Sequence, residues 1–348
     1  MKLKISLFLC LFVFATQPVY AIKVSGLYQA TAPVADESTA KRNPAVKQAL
    51  IQVLIKLTGD RNIARSSSIS NLIERPDRFV QQFRYQQAPI QANEQIPSKE
   101  LWVQFDESAL NGALRSYGLA IWGKERPSIL VWLAHEKDKN RQLVSFEESP
   151  EYIDMLDRHA AARGVSLLFP LLDLEDTSRM NVSDVWGGFK EPVLNASIRY
   201  QSDVVLTARL IQTLPTLWES QWSVYINEQE MYWTTQGELA EIALEEGINE
   251  LADRLASQYV NTVSTGTEVL ELIVSNINSI DGYAKTLAYL ESLQAISDVK
   301  VTRVTEDEVS FEVISRGGET ALNQTIALGK TLELVSNNEQ LNYRLLGR

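Results

Sequence analysis

The chain has 348 residues, 45% hydrophobic and 22% charged, with a formal net charge of −11, an ordinary globular profile rather than a low-complexity or disordered one. That length exceeds one ordinary domain and suffices for two or three. Residues 131–264 carry 10 Lys and Arg against 22 Asp and Glu, whereas residues 22–130 carry 14 against 10 and residues 265–348 carry 7 against 12, and so acidic a middle argues against nucleic-acid binding.

The first 21 residues read as an export signal. Lys2 and Lys4 precede an apolar stretch over residues 5–15 whose one polar residue is Ser6, and Val19 and Ala21 supply small residues at the cleavage positions. The stretch is short of the roughly 20 residues that span a bilayer. This predicts cleavage after Ala21, a periplasmic location and a mature chain beginning at Ile22. The one cysteine, Cys10, lies inside the signal, so the mature chain has no thiol chemistry. No later apolar run is long enough for a transmembrane segment.

From residue 22 the pattern reads strand (22–35, with Pro33 suggesting an edge), then a helix capped by Asn43 with Pro44 at its first position and closed by Gly59. Strands follow at residues 79–87 and 101–105, and Asp106 caps a helix that Gly118 ends. Pro127 then introduces a continuous apolar run, residues 129–134, of the kind found in a strand buried on both faces. Ser149 and Pro150 start a helix that Gly164 stops, residues 165–172 form a second buried strand, and a polar loop precedes a short helix at 192–200. Three strands (204–211, 218–226, 231–235) and a long helix over residues 239–259 complete this unit. After a small, polar linker at 261–267, the order is strand, helix, strand, strand, helix, strand.

The predicted fold class is α/β and α+β: a central mixed-sheet domain (127–262) flanked by two split-βαβ, ferredoxin-like modules (22–126 and 267–348), behind the signal of residues 1–21.

Four segments in order also carry a family resemblance: Leu27-Tyr28-Gln29-Ala30 with Pro33-Val34; Leu57-Thr58-Gly59-Asp60-Arg61-Asn62; Leu101-Trp102-Val103 before Phe105-Asp106; and Arg126-Pro127 running into Leu130-Val131-Trp132-Leu133-Ala134. They resemble the exported bacterial family catalogued as domain of unknown function 2066. The resemblance implies an envelope location and transfers no catalytic or binding residue.

No complete catalytic set is present. Ser38 and Lys41 match S-x-x-K, but the partner motifs of penicillin-binding enzymes are missing, and Ser38 reads as a cap. His135 and His159 are the only histidines and have no ligand at zinc spacing; His135 is expected in an exposed charged loop. Asp173, Glu175, Asp176 and Asp184 are the candidate metal ligands. Residues 173–184 span the twelve positions of a calcium loop, although Ser178 stands where the sharp turn needs glycine, and the competing reading is a solvated loop. Gly329-Lys330-Thr331 lacks the first glycine of a phosphate loop. No cofactor is implied. Trp218, Trp222 and Trp233 on adjacent strands read as core beneath the long helix, or as a ligand platform.

Asp60 and Arg61, in the charged turn after Gly59, are the candidate binding residues. The expected function is a non-catalytic periplasmic interaction or envelope-assembly protein whose partner is another envelope protein. The alternative is a carboxylate-dependent glycan hydrolase using the acids of residues 173–184. Two carboxylates facing across a cleft, one with a raised pKa, would favour the hydrolase, and an exposed apolar patch the binder.

Overall fold

A computed structural model describes residues 26–88, 99–137, 139–226, 229–260, 266–337 and 340–347. The export signal with Cys10, and most of the linker, lie outside the described residues. The mixed α/β class is as expected: three sheets, each with its own helices and core.

The first unit runs β1 (Gln29–Pro33), α1 (Thr39–Thr58), α2 (Ser70–Ile73), β2 (Val80–Gln87), β3 (Lys99–Phe105) and α3 (Glu107–Ser116). Its antiparallel sheet has the order β1-β3-β2. The α1 stripe of Ala45, Ala49, Leu50, Val53, Leu54 and Leu57 is buried against it. The helix starts one turn before the expected Asn43 cap, behind Ser38, and carries Pro44 inside. Pro44 is the sixth helical residue, past the amides that lack an intrahelical partner, so it leaves the Ala40 carbonyl without its i+4 donor, a cost offset by the buried stripe that follows. Gly59 closes the helix in the left-handed conformation, φ 73°, its N–H bonded to the Ile55 carbonyl. Asp106 caps α3 by accepting from the Ala109 N–H at 2.7 Å.

In the central unit, β4 (Ser128–Lys137) is buried on both faces. Ile129, Val131 and Leu133 enter one core, and Leu130, Trp132 and Ala134 the other. It is followed by β5 (Asn140–Leu143), α4 (Pro150–Arg163), β6 (Ser166–Leu168), α5 (Leu174–Arg179), α6 (Val182–Gly187), α7 (Lys190–Ser197), β7 (Val204–Leu214), β8 (Leu217–Ile226), β9 (Gln229–Gly237) and α8 (Ala240–Tyr259). The sheet runs β5-β4-β7-β8-β9, with β6 alongside the start of β4; β4 is parallel to both β6 and β7, and the other pairs are antiparallel. The polar stretch after β6, expected as a loop, holds α5 and α6. The tryptophans are core: Trp222 stacks on Trp233, ring centroids 6.0 Å apart, beneath α8. Gly247 is what lets them fit, because a Cβ there would lie 2.1 Å from the Trp222 ring.

The third unit comprises β10 (Thr267–Ser275), α9 (Ile280–Ser292), β11 (Ile296–Val304), β12 (Glu308–Arg316), α10 (Gly318–Gly329), β13 (Leu332–Asn337) and β14 (Leu341–Leu345). The sheet order is β11-β12-β10-β14-β13. Neither flanking module has the four-stranded sheet of a ferredoxin-like fold. Among the described residues the first has three strands, with none paired to the outer edge of β1. In the third, β14 takes the place beside β10 and runs parallel to it, pushing β13 to the edge.

The first and central units are joined by arginines. Arg126, 4% exposed, donates to the carbonyls of Lys56, Trp122, Gly123 and Gly164 at 2.6–2.9 Å and stacks on the Trp122 ring. Arg163, at the end of α4, reaches the Gly59 carbonyl at 2.8 Å and Asp253 of α8 at 2.6 Å. Gly59 itself lies against α8, where a Cβ would meet that of Ala256 at 2.3 Å.

Candidate functional site

The acidic loop is the place where candidate residues converge. Beyond β6 the chain leaves the sheet through Phe169 and Pro170, and Leu172 takes a positive φ of 52°. That turn brings Asp173 to the N-cap of α5, where its carboxylate accepts from the Glu175 and Asp176 amides at 3.0 and 3.1 Å. One turn on, Asp176 points inward and is 1% exposed. A carboxylate buried so deeply must be fully bonded. Its oxygens accept from the Leu172 N–H at 2.9 Å, the Tyr200 hydroxyl at 2.6 Å and the Arg199 guanidinium at 3.2 Å.

Arg199 and Tyr200 follow α7, and reasoning from sequence missed both. Arg199 grips Asp173 with two bonds of 2.7 and 3.0 Å, lies 3.6 Å from Glu175, and packs over the Tyr200 ring. Beside that guanidinium, and with two backbone amides, the Asp173 carboxyl is held down to about 2. The same carboxylates keep Arg199 firmly protonated. Burial, and then the bond to Asp176, push the Tyr200 hydroxyl up to about 12. Tyr200 also accepts from the Leu171 N–H at 2.8 Å and meets Trp132 edge-on at 6.2 Å. The loop is thereby anchored to the central core.

Three of the four metal candidates, Asp173, Glu175 and Asp176, thus gather around a cation supplied by the chain itself. The fourth, Asp184, is apart from them, accepting from the Asn181 N–H at the start of α6 at 2.7 Å. Among the described residues no group of three or more His, Cys, Asp and Glu is arranged to hold a metal ion.

Exposed apolar side chains adjoin these bonded residues along the chain. Leu171, Leu174 and Ile198, chain neighbours of the bonded residues, are 66%, 88% and 68% exposed. Phe146, 58% exposed, packs edge-on to Phe169, which leads into this loop.

The remaining candidates lie elsewhere. Asp60 accepts from the Asn62 N–H at 2.8 Å within its own turn. Arg61 reaches across to α8, 3.0 Å from Glu246 and 3.1 Å from Asp253, which makes it part of the junction between units. Ser38 stands at the N-cap position of α1 on the surface, its hydroxyl making no capping bond. His135, expected in an exposed loop, lies in β4, 5% exposed and against Tyr152. The buried strand runs further than its apolar run, because its polar end is covered by α4. His159 lies 3.4 Å from Glu241 and 3.9 Å from Glu245 of α8.

Residues 21–123 match the model of a family described as a domain of unknown function (DUF8605). This overturns the resemblance to domain of unknown function 2066. The matching family is a different one, and the match ends before the segment beginning at Arg126. No curated protein and no solved structure matches the chain.

Proposed function

We propose that this is a non-catalytic binding protein of the bacterial envelope, which holds a partner protein on the apolar surface of Leu171, Leu174, Ile198 and Phe146. The observation that carries this reading is the loop beneath that surface. Its carboxylates converge on Arg199, with Arg179 also pairing Glu175, rather than opposing one another across a cleft, while large apolar side chains are held outward on a braced support. Exposed apolar surface on a rigid base is what partner docking requires. A two-carboxylate hydrolase is disfavoured. Asp173 is pulled down rather than up, and Asp157, raised by burial and by Asp154, is the one carboxylate among the described residues lining a cleft beside α4.

The test is crosslinking in living cells from a photoreactive residue at position 171, itself 66% exposed, combined with complementation of a deletion strain. Leu174→Asp is expected to abolish both the crosslinked product and function while abundance and Tm stay at wild-type values, because a residue 88% exposed supports no packing. Full function in Leu174→Asp and Ile198→Asp, or loss of function in Ser38→Ala at normal Tm, would overturn the reading.

The envelope location is part of the proposal and rests on Lys2, Lys4, the apolar residues 5–15 and Ala21. Intact-mass measurement on protein released from the periplasm is expected to give a chain beginning at Ile22. A mass that retains Cys10, or recovery only from the cytoplasm, would contradict it.

A further inference from the structure

Among the described residues the sheet of the first unit lacks a fourth strand, and a cleft lies where that strand would be. In a split-βαβ sheet a fourth strand pairs with the outer edge of the first. Here the order stops at β1. After α3 the chain turns instead to the end of α1, where the Trp122 N–H meets the Leu57 carbonyl at 2.7 Å. A cleft of about 750 Å³ lies along the vacant edge, lined by Gln29, Thr31, Lys56, Trp102, Arg158 and Ser166, among others. Its far wall is also an edge, because among the described strands β6 pairs with β4 alone.

The backbone groups can be assigned. The Tyr28 carbonyl accepts from Phe105 and the Val34 N–H donates to Lys99, so residues 28, 30, 32 and 34 bond β3. By alternation, Gln29, Thr31 and Pro33 direct their groups outward. The Gln29 N–H is used by the Gly26 carbonyl, and Lys56 Nζ donates to the Gln29 carbonyl at 2.8 Å and the Gly26 carbonyl at 3.3 Å. The open edge therefore offers the Thr31 N–H and C=O and the Pro33 C=O. Pro33 has no donor and Lys56 covers the other end, both devices that blunt an edge against unlimited pairing. What remains suits a short strand.

We propose that an extended segment of a partner protein adds to β1 in this cleft as the missing fourth strand, antiparallel to β1, with a carboxylate at or near its C-terminal end placed at Lys56 Nζ. Strand addition supplies backbone bonds, and a pocket at one end supplies specificity. The polarity follows from the topology. A strand antiparallel to β1 brings its C-terminal end to Gln29, beside the ammonium. Among the described residues that ammonium bonds carbonyls, those of Gly26 and Gln29, and burial, with the nearby Arg126 cation, lowers its pKa. Both features favour an incoming carboxylate. The surface is separate from the Leu174 patch, so each can fail without the other.

The probe is a display library of random peptides with free C-termini, selected on the purified full-length protein and remeasured as synthetic peptides by fluorescence polarisation. Peptides with an acidic or free-carboxylate end are expected to be enriched. Amidating the terminus and neutralising the acids, Lys56→Met, and Thr31→Pro should each weaken binding by about tenfold or more, while Leu174→Asp leaves it unchanged. Lys56→Met guards against a Thr31→Pro variant that does not fold, and slowed hydrogen exchange at the Thr31 amide reports pairing in the unaltered protein. Failure to enrich any peptide, binding indifferent to Lys56→Met, or an unprotected Thr31 amide would each overturn the proposal. So would a concentration-dependent dimer that Thr31→Pro dissolves, which would assign the edge to a second copy of this chain.

Discussion

Arg126→Ala is expected to destabilise the protein by about 4 kcal/mol, read as a shift in the urea midpoint at constant slope. The guanidinium donates to four carbonyls from three stretches of chain, residues 56, 122–123 and 164. Burial pushes it down to about 9, so at neutral pH it is still a cation whose charge is dispersed over those oxygens and the Trp122 face. Truncation strips the donors from buried acceptors, each worth about 1–3 kcal/mol, and opens a cavity between the units. Water entering that cavity offsets part of the loss. Arg163→Ala should cost less, about 2 kcal/mol, because its partner Asp253 is 32% exposed and can be resolvated. If Arg126→Ala unfolds within 1 kcal/mol of wild type, the junction is not held in the way its bonds indicate.

What could be read from sequence divides by the range of the interaction involved. The α1 stripe, the Gly59 stop, the Asp106 cap and the doubly buried β4 all rest on residues within a few positions of each other, and each stands where expected. Strand β14 was not anticipated. Its five residues carry little pattern, and its place beside β10 depends on pairing across about 70 positions. The Pro44 shift has the same origin on a smaller scale, since a helix already secured by six buried apolar residues can run past its preferred start.

The site follows the same rule. Asp173, Glu175 and Asp176 stood out as acids, and their spacing alone admitted a metal. What they hold instead comes from residues 199 and 200, more than 20 positions away, and no local signal ties an Arg-Tyr pair after one helix to an acidic turn before another. Likewise, Asp60-Arg61 looked like an exposed turn because its counter-charges, Glu246 and Asp253, lie about 190 residues on. Pro33 is the case in which a local residue foretold a long-range fact: a strand with no donor at one position belongs at an edge, and that edge borders a cleft of about 750 Å³.

The second large effect is a dependence of stability on pH centred on Lys56. Burial, reinforced by the nearby Arg126 charge, brings its ammonium down to about 8 from the 10.5 or so of an exposed lysine. A base with a depressed folded pKa acts in a definite direction. Below pH 8 it is protonated in both states, and the penalty of burying its charge is present in full. Between pH 8 and 10.5 the unfolded chain holds the proton more tightly, so stability rises with pH. The integrated effect is about 3 kcal/mol. Tyr28, pushed by burial up to about 12, titrates in the opposite sense above pH 10, so the measurement must be a difference. The excess stability of Lys56→Met over wild type should be greatest at pH 7 and shrink by about 3 kcal/mol by pH 10.5, the tyrosine contributions cancelling between the two proteins. A difference that stays flat from pH 7 to 10.5 would mean that Lys56 is solvated in the cleft. Adding a selected acidic peptide supplies the counter-charge the lysine lacks, which should raise its pKa and remove the slope from wild type while leaving Lys56→Met unchanged.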